Sequence, residues 1–297
     1  MPEKLSGRDL DALLTIRYFE LLLLELFAAG HVSGTTHTCI GQEYVPVAMA
    51  PLLDRAFVVS NHRCHGHYLA QFGDAEGLLA EILGRSGGVC NGHGGSQHLY
   101  REGFCSTGVQ GEGIPIALGA AMSMKRTGTG GLAAAYIGDG TWGQGAVYEA
   151  LNMAQLWQAP LVVLVENNGI AQSTPVERAM AGSIAGRAAA FGLRYAQVTQ
   201  TCPVAIRRQL ADQIELTRSG GGPLIAEFMT TRVGPHSKGD DTRPPEQRRA
   251  AEEADWLARY RRHYGAEVQA AELAQQSRLR QLAEEILARP PVAVSPS

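Results

Sequence analysis

The sequence predicts an α/β protein with a doubly wound, mainly parallel sheet that carries helices on both faces. Two apolar runs of strand length, 132–137 and 161–165, flank a segment with helical spacing over residues 144–157. Neither run alternates with polar residues, which is typical of strands buried on both faces and therefore of a parallel sheet. A strand, a helix and a strand in this order form a βαβ unit.

Three regions follow from changes in composition along the chain. Residues 1–33 are expected to form a helical arm, residues 34–245 the α/β domain, and residues 246–297 a helical extension. From Gly34 to Gly113 the chain is rich in glycine and histidine and has few long periodic segments. Such a stretch predicts loops held against a scaffold, where ligand chemistry tends to lie.

The remaining predicted elements come from local periodicity and from stop signals such as Gly30. They are helices at 9–29, 42–53, 75–84, 182–191, 203–218, 248–264 and 266–288, strands at 195–199 and 224–229, a loop at 231–247, and a frayed end at 290–297.

Composition and charge narrow the classes of function. The chain is 45% hydrophobic and 19% charged, with a formal net charge of −3, so nothing favours nucleic acid or an anionic membrane as partner. Five cysteines without a Cys-x-x-Cys pair argue against a disulfide framework and indicate a reducing compartment. The longest apolar stretch, near residues 21–29, is interrupted by Glu25 and is too short to span a bilayer. We therefore expect a cytoplasmic protein without a membrane segment.

Two motifs follow the two central strands. Gly138-Asp139-Gly140 ends the first run and Glu166-Asn167-Asn168 the second, so both are expected at the edge where doubly wound sheets bind ligands. Asp139 and an asparagine at 167 or 168 would offer hard oxygen ligands suited to Mg²⁺. The two glycines let backbone approach a phosphate. Each motif alone is more often a simple turn; together they predict a magnesium–phosphate site.

With these motifs in place, the sequence resembles the α subunit of the E1 component of 2-oxo acid dehydrogenase complexes, including the acetoin dehydrogenase branch. The resemblance covers roughly residues 10–250 in order. It rests on Ile16–Glu20, His37–Glu43, Arg63-Cys64-His65-Gly66, Gly94–His98, Gly108–Pro115, Gly138–Gly145, Glu149–Ala154, Glu166-Asn167-Asn168 and Thr230–Ser237. It implies a thiamine-diphosphate-binding fold of the diphosphate-binding type over residues 34–245, with thiamine diphosphate and Mg²⁺ as cofactors.

The resemblance also implies roles for individual residues. Asp139, the Asn168 side chain and the Ile170 carbonyl would hold Mg²⁺. The diphosphate would be bound by Gly138, Gly140, Thr141, Arg63 and His236, and the aminopyrimidine by Gly108 and the Gln110 backbone. His37, His65 and His236 would be the catalytic or substrate-side histidines.

Two further interpretations concern residues near these positions. His62, His65 and His67 could form a metal cluster, although their spacing in a loop and the lack of a fourth ligand disfavour it. Glu43 could be a catalytic carboxylate, but a structural role that ties its loop to the fold is expected instead.

In this family the carboxylate that activates the cofactor comes from a β subunit, so the resemblance implies an α₂β₂ enzyme inactive without it. The expected reaction is decarboxylation of a 2-oxo acid, or cleavage of an acyloin, with transfer of the acyl or aldehyde unit to a lipoyl-domain E2 protein or another acceptor. Gly234-Pro235 and Ile170 depart from the pyruvate-type pattern, and Gly234-Pro235 is nearer to the branched-chain type. A two-component carboligase, a split transketolase subunit and a non-enzymatic paralogue are the alternatives.

Overall fold

The computed structural model describes residues 3–237 and 241–292. Seven strands form one sheet in the order β2-β3-β1-β4-β5-β9-β8, parallel throughout except where β2 pairs with β3. The sheet strands are β1 (Phe57–Ser60), β2 (Tyr100–Arg101), β3 (Phe104–Ser106), β4 (Ala133–Gly138), β5 (Leu161–Asn167), β8 (Arg194–Val198) and β9 (Leu224–Met229); β6 (Ile170–Ala171) and β7 (Thr174–Pro175) form a separate ribbon.

Helices cover both faces of the sheet, as predicted. Alternate strand residues enter different cores: Val58 and Leu164 pack with one, Val59 and Val163 with the other. The helices are α1 (Gly7–Ala28), α2 (Tyr44–Met49), α3 (Cys64–Phe72), α4 (Ala75–Ile82), α5 (Gly113–Thr127), α6 (Gly145–Leu156), α7 (Val176–Ala179), α8 (Ile184–Ala190), α9 (Pro203–Arg218), α10 (Pro245–Ala254) and α11 (Trp256–Leu287). Two 3₁₀ turns span Ala50–Leu53 and Asp139–Gly143.

Short polar residues set several helix starts. The Ser6 hydroxyl accepts from the Asp9 amide at α1, and the Asp74 carboxylate from the Gly77 amide at α4, which satisfies donors that have no partner within the helix. The predicted break near residue 265 is a kink in α11 at Tyr264, whose φ of −126° is not helical. The boundary between the last two helices falls instead at Asp255.

A buried polar cluster joins the first helix to the last. The Arg17 guanidinium donates two bonds of 2.8 Å to Asp255 and one to Glu43. Glu43 Oε2 also accepts from the Trp256 indole at 2.8 Å and from the Gly41 amide at 2.9 Å. Glu43 therefore ties the loop before α2 to α1 and α11, which is the structural role predicted for it.

Two predictions about irregular structure were wrong. The region 34–113 contains strands β1 and β3 and helix α3. Residues 290–292 do not fray: the Ser86 amide donates to the Pro290 carbonyl at 3.0 Å, and the Val292 amide to the Gly84 carbonyl at 2.9 Å. The rest of the predicted frayed end, 293–297, lies outside the described residues. Among the helices described, none has the length and apolar character needed to cross a membrane.

Candidate active site

A cavity of about 330 Å³ opens where β1, β4 and β5 end, at the edge of the sheet expected to bind ligands. All but one of the predicted site residues line it: His37, Arg63, Gly108, Gln110, Gly138, Asp139, Gly140, Thr141, Asn168, Ile170 and His236. The exception is His65. The sequence analysis assigned no role in the cavity to the eight further lining residues, which are Gln42, Asn61, His62, Gln97, Gln144, Glu166, Ala171 and Gln172.

Asp139 is a buried carboxylate with unused acceptor capacity. It follows β4 directly and is 3% exposed, and no donor among the described residues bonds its Oδ2 atom. Burial raises the pKa of the Asp139 carboxyl, while nearby backbone N–H groups and the charges of Arg232 and Arg63 oppose that rise. A buried acceptor without a partner is costly, so this oxygen is suited to a cation.

Asn168 faces the same space from the end of β5. Its amide donates to Gln42 Oε1 at 3.1 Å, and its Oδ1 accepts from the Ile170 amide at 3.2 Å. These two bonds fix which end of the amide carries the oxygen. Asn167 is directed elsewhere, because its amide donates to Glu227 Oε1 at 2.6 Å. Of the two asparagines left open by the spacing, Asn168 is the one that lines the cavity.

Gly140 is required by a close approach of the β6–β7 ribbon. A Cβ atom built on Gly140 would lie 2.5 Å from the Cβ atom of Ala171, whereas one built on Gly138 would meet nothing within 4 Å. The ribbon begins at Ile170, so the absence of a side chain at Gly140 allows the ribbon to pack against the turn that carries Asp139.

Arg63 supplies a buried cation in the wall of the same cavity. It is 4% exposed and donates through Nη1 to the Thr38 carbonyl. Its Nη2 lies 3.2 Å from both the Nδ1 atom and the carbonyl oxygen of His236, and its backbone amide donates to Asn61 Oδ1 at 2.8 Å. Arg63 and His236, which are far apart in sequence, thus form one unit suited to an anion.

Three imidazoles meet beside Arg63. The ring centroid of His37 lies 4.7 Å from that of His62 and 4.8 Å from that of His236. The Gln110 amide lies 2.9 Å from His62 Nδ1, and its Oε1 accepts from the Thr141 hydroxyl at 2.8 Å. Burial, then the charges of Arg63 and the other histidines, lower the pKa of His62 well below its usual value, so this ring is neutral at neutral pH.

The predicted placement of His65 in the active site is wrong. His65 is fully buried in α3, where its Nδ1 lies 3.0 Å from Glu20 Oε2 and its Nε2 lies 2.9 Å from Ser96 Oγ. The helix turns this ring towards α1 and away from the cavity. Its fixed partners indicate that His65 joins α1 to the loop that carries Ser96.

His67 does not complete a cluster with His62 and His65. Its Nδ1 lies 2.6 Å from Ser60 Oγ, its ring stacks on Tyr136, and its Nε2 lies 3.3 Å from Glu166 Oε1. Each of the three histidines of this segment therefore has different partners. His67 instead holds Glu166, a buried carboxylate on the cavity wall.

A buried carboxylate organises the glycine-rich loop beside the cavity. Glu81, at the end of α4, is 1% exposed and accepts from four backbone amides at 2.7–3.1 Å, those of Cys90, Gly92, Gly94 and Gly95. The loop continues to Gln97, which lines the cavity and donates to the Thr35 carbonyl. The glycine run of this loop was a signal for close backbone packing, but its partner is not evident from sequence.

Trp142 does not line the cavity. It lies fully buried in the core that α5, α6 and α8 share, with its carbonyl accepting from Arg187 Nη1 at 2.7 Å. It therefore anchors the turn after β4 in the hydrophobic core and does not face the cavity.

A model of the dehydrogenase E1 component family matches residues 12–289. The chain belongs to the dehydrogenase E1 component family. This confirms the resemblance seen in the sequence, and it places every residue of the cavity inside the matched range.

Relatives within this family are α subunits. The chain is 40% identical over 233 residues to the α subunit of acetoin:2,6-dichlorophenolindophenol oxidoreductase from Bacillus subtilis, covering 77% of this chain and 70% of the relative. It is 37% identical over 237 residues to the pyruvate dehydrogenase E1 α subunit of Zymomonas mobilis, covering 78% and 67%. A solved structure of a putative thiamin diphosphate-dependent enzyme from Mycobacterium smegmatis aligns with a TM-score of 0.46 at 21% identity, covering 67% of this chain and 33% of that one.

Proposed function

We propose that this E1-family chain is the α subunit of an enzyme that uses thiamine diphosphate and Mg²⁺ to decarboxylate a 2-oxo acid or to cleave an acyloin. The observation that carries the proposal is the unpartnered, buried Oδ2 atom of Asp139, which faces a cavity also lined by Asn168 and Ile170. Carboxylate, amide and carbonyl oxygens are ligands that Mg²⁺ accepts, with phosphate oxygens and water completing its shell.

The part of the cavity lined by Arg63 and His236 fits the diphosphate. Arg63 and His236 offer charge-assisted and neutral donors, while Gly140 and Thr141 bring backbone close to the same space. A cation at Asp139 and an anion at Arg63 would neutralise each other inside a largely buried site. The residues present therefore fit both parts of the magnesium diphosphate group.

When bound, thiamine diphosphate supplies an electron sink for the carbon that carries the oxo group. The chain's own residues would bind and orient the cofactor and the substrate, and they would exclude water. His37 and His236 line the cavity, so their rings would hold a proton or donate to an oxygen of the substrate. Substrate identity, whether a 2-oxo acid or an acyloin, would depend on the surroundings of these two rings.

The proposal includes a β subunit, because both named relatives are α subunits. An α₂β₂ assembly in the cytoplasm would then pass the acyl or aldehyde unit to a lipoyl-domain protein or to a small acceptor. The family match over residues 12–289 supports this type over a split transketolase. The intact set of Asp139, Asn168, Arg63 and His236 supports an enzyme over a non-enzymatic paralogue.

The test is reconstitution of the purified chain with an E1 β subunit. We expect saturable binding of thiamine diphosphate that requires Mg²⁺, measured by calorimetry. We also expect turnover of at least one substrate in a panel of pyruvate, branched-chain 2-oxo acids and acetoin, with dichlorophenolindophenol or a lipoyl domain as acceptor. Cofactor binding that persists without divalent metal, or that survives Asp139→Ala unchanged, would contradict the proposal.

A further inference from the structure

His37, His62 and His236 form a nitrogen-rich group distinct from the oxygen ligands at Asp139 and Asn168. The three come from separate segments: His37 precedes α2, His62 follows β1, and His236 follows β9. One ring nitrogen from each lies within 4.8 Å of the other two. Such convergence of three imidazoles is the minimum that a protein zinc site needs, with the fourth position left to water or another ligand.

We propose that these three imidazoles form a second metal site, which binds a nitrogen-preferring divalent ion of the Zn²⁺ class when the diphosphate is absent. Three atoms no more than 4.8 Å apart all lie within about 2.8 Å of some common point. Zinc–nitrogen bonds measure about 2.0–2.1 Å, so each nitrogen would need to move by less than about 1 Å. Small rotations of the three side chains supply that movement.

Gln110 orients one of the three ligands. Its amide lies against His62 Nδ1, which leaves Nε2 of that ring for the cavity. For Nε2 to bind a metal, Nδ1 must carry the proton and Gln110 must turn its oxygen towards it. The Thr141 hydroxyl permits this turn, because a hydroxyl can donate to Oε1 or accept from the amide. Histidines that bind a metal commonly donate the N–H of their other ring nitrogen to a hydrogen-bond partner, and Gln110 would be that partner for His62.

The positive charge of Arg63 disfavours the metal, and Arg63 also belongs to the proposed diphosphate site. In the metal-bound form His236 would hold its proton on Nδ1, and Arg63 would keep its bonds to the carbonyls of His236 and Thr38. The guanidinium charge lowers the affinity for a cation. Under the proposed function, Arg63 and His236 face the diphosphate instead, so the cofactor and the second metal should exclude each other.

Ligand chemistry separates this site from the one at Asp139. Imidazole nitrogen favours Zn²⁺, Co²⁺, Ni²⁺ and Cu²⁺, whereas Mg²⁺ prefers carboxylate, carbonyl and water oxygens. The cavity would therefore hold two cation positions with opposite preferences. Zinc would inhibit the enzyme by competing with its cofactor rather than with Mg²⁺.

The experiment titrates Co²⁺ into the untagged, cofactor-free full-length chain and follows its visible absorption, with excess Mg²⁺ present to fill the oxygen site. We expect one Co²⁺ per chain with intense bands typical of four-coordinate geometry. His37→Gln, His62→Gln and His236→Gln should each weaken binding by about tenfold or more. His31→Gln, an exposed histidine outside the cavity, is the matched control and should bind as the unchanged protein does.

Three results would overturn the site: no saturable uptake, uptake unaffected by all three cavity variants, or a thiolate-to-cobalt band that identifies a cysteine ligand. Circular dichroism of each variant confirms that it is folded, and three independent variants keep the test valid if one is not. Displacement of Co²⁺ by thiamine diphosphate with Mg²⁺, measured in the enzyme reconstituted with the β subunit, is a separate readout. If Co²⁺ binds as expected but the cofactor does not displace it, the metal site stands and the diphosphate role of His236 fails.

Discussion

The side-chain amide of Asn168 donates a hydrogen bond of 3.1 Å to Oε1 of Gln42, a residue that arrives from a loop more than a hundred positions away. The bond sets the orientation of the Asn168 amide, so that its oxygen is held near Ile170 and Asp139. Because Gln42 is 1% exposed, water cannot easily take its place as the acceptor for the Asn168 amide. The proposed magnesium site therefore depends on a residue that does not itself touch the metal.

Gln42→Leu should weaken the Mg²⁺-dependent binding of thiamine diphosphate by roughly three- to tenfold, because one hydrogen bond that orients a ligand is worth about 1 kcal/mol. The measurement is a Mg²⁺ titration at fixed cofactor in the reconstituted enzyme. Gln281→Leu, an exposed position on α11, is the matched control and should leave the titration unchanged. Equal behaviour of the two variants would remove Gln42 from the site.

Asp139→Asn should have opposite effects with and without ligand. Because burial raises the pKa of the Asp139 carboxyl, its ionised form costs stability above that pKa, and the cost disappears as the pH falls. At pH 7 the cofactor-free variant should therefore melt roughly 1–3 °C higher than the unchanged protein. With Mg²⁺ and thiamine diphosphate added, only the unchanged protein should gain stability. A variant that melts lower without ligand would contradict this account of Asp139.

The Mg²⁺ titration of cofactor binding should depend on pH. Protons compete with the metal for Asp139, and a raised carboxyl pKa brings that competition to a higher pH than an ordinary aspartate would show. Mg²⁺-dependent cofactor affinity should fall as the pH decreases towards the folded-state pKa of Asp139. Calorimetry at a series of pH values, at constant ionic strength, gives the curve. An affinity independent of pH across the acid range would show that Asp139 is not a ligand.

Glu81→Gln should destabilise the protein by about 2–4 kcal/mol, because the neutral amide offers one acceptor oxygen to four backbone donors and sets its own N–H₂ group against two of them. Urea unfolding measures the loss, and hydrogen exchange should accelerate across residues 88–97. Glu76→Gln on the same helix, an exposed partner of Arg289, should cost at most about 1 kcal/mol. Matching losses in the two variants would show that the loop does not depend on Glu81.

Gly140→Ala should weaken cofactor binding by displacing the β6–β7 ribbon, since its Cβ atom would lie 2.5 Å from that of Ala171. The double variant with Ala171→Gly removes the clash and should recover most of the affinity. Gly143→Ala, in the same turn but outside the cavity lining, has open space around its Cβ position, so it should change binding little. A Gly140→Ala variant that the second substitution fails to rescue would indicate that the ribbon is not the cause.

The sequence was most informative where rules of sheet topology apply. Asp139 and Asn168 follow consecutive parallel strands, and such strands end at one edge, so their proximity could be predicted without coordinates. Strands β1 and β3 were missed because runs of four and three residues cannot be distinguished from apolar loop segments.

Errors arose where side-chain direction decides the outcome. His62, His65 and His67 lie within six positions of one another, yet α3 begins between the first two and points each ring towards different partners. Gln42 and Glu81 were overlooked for a related reason. Their importance depends on backbone and side-chain groups that only the folded chain brings to them.

Residues 290–292 pair with the turn at Gly84–Ser86. The last described residues therefore hold the segment that leads into the glycine-rich loop. A Cβ atom built on Gly92 would lie 3.0 Å from the Val292 side chain. Residues 290–292 are therefore closely packed against the loop whose amides bind Glu81. Removal of the residues after 289 should therefore alter the position of Gln97 on the cavity wall. In this way residues 290–292 influence the shape of the active-site cavity without lining it.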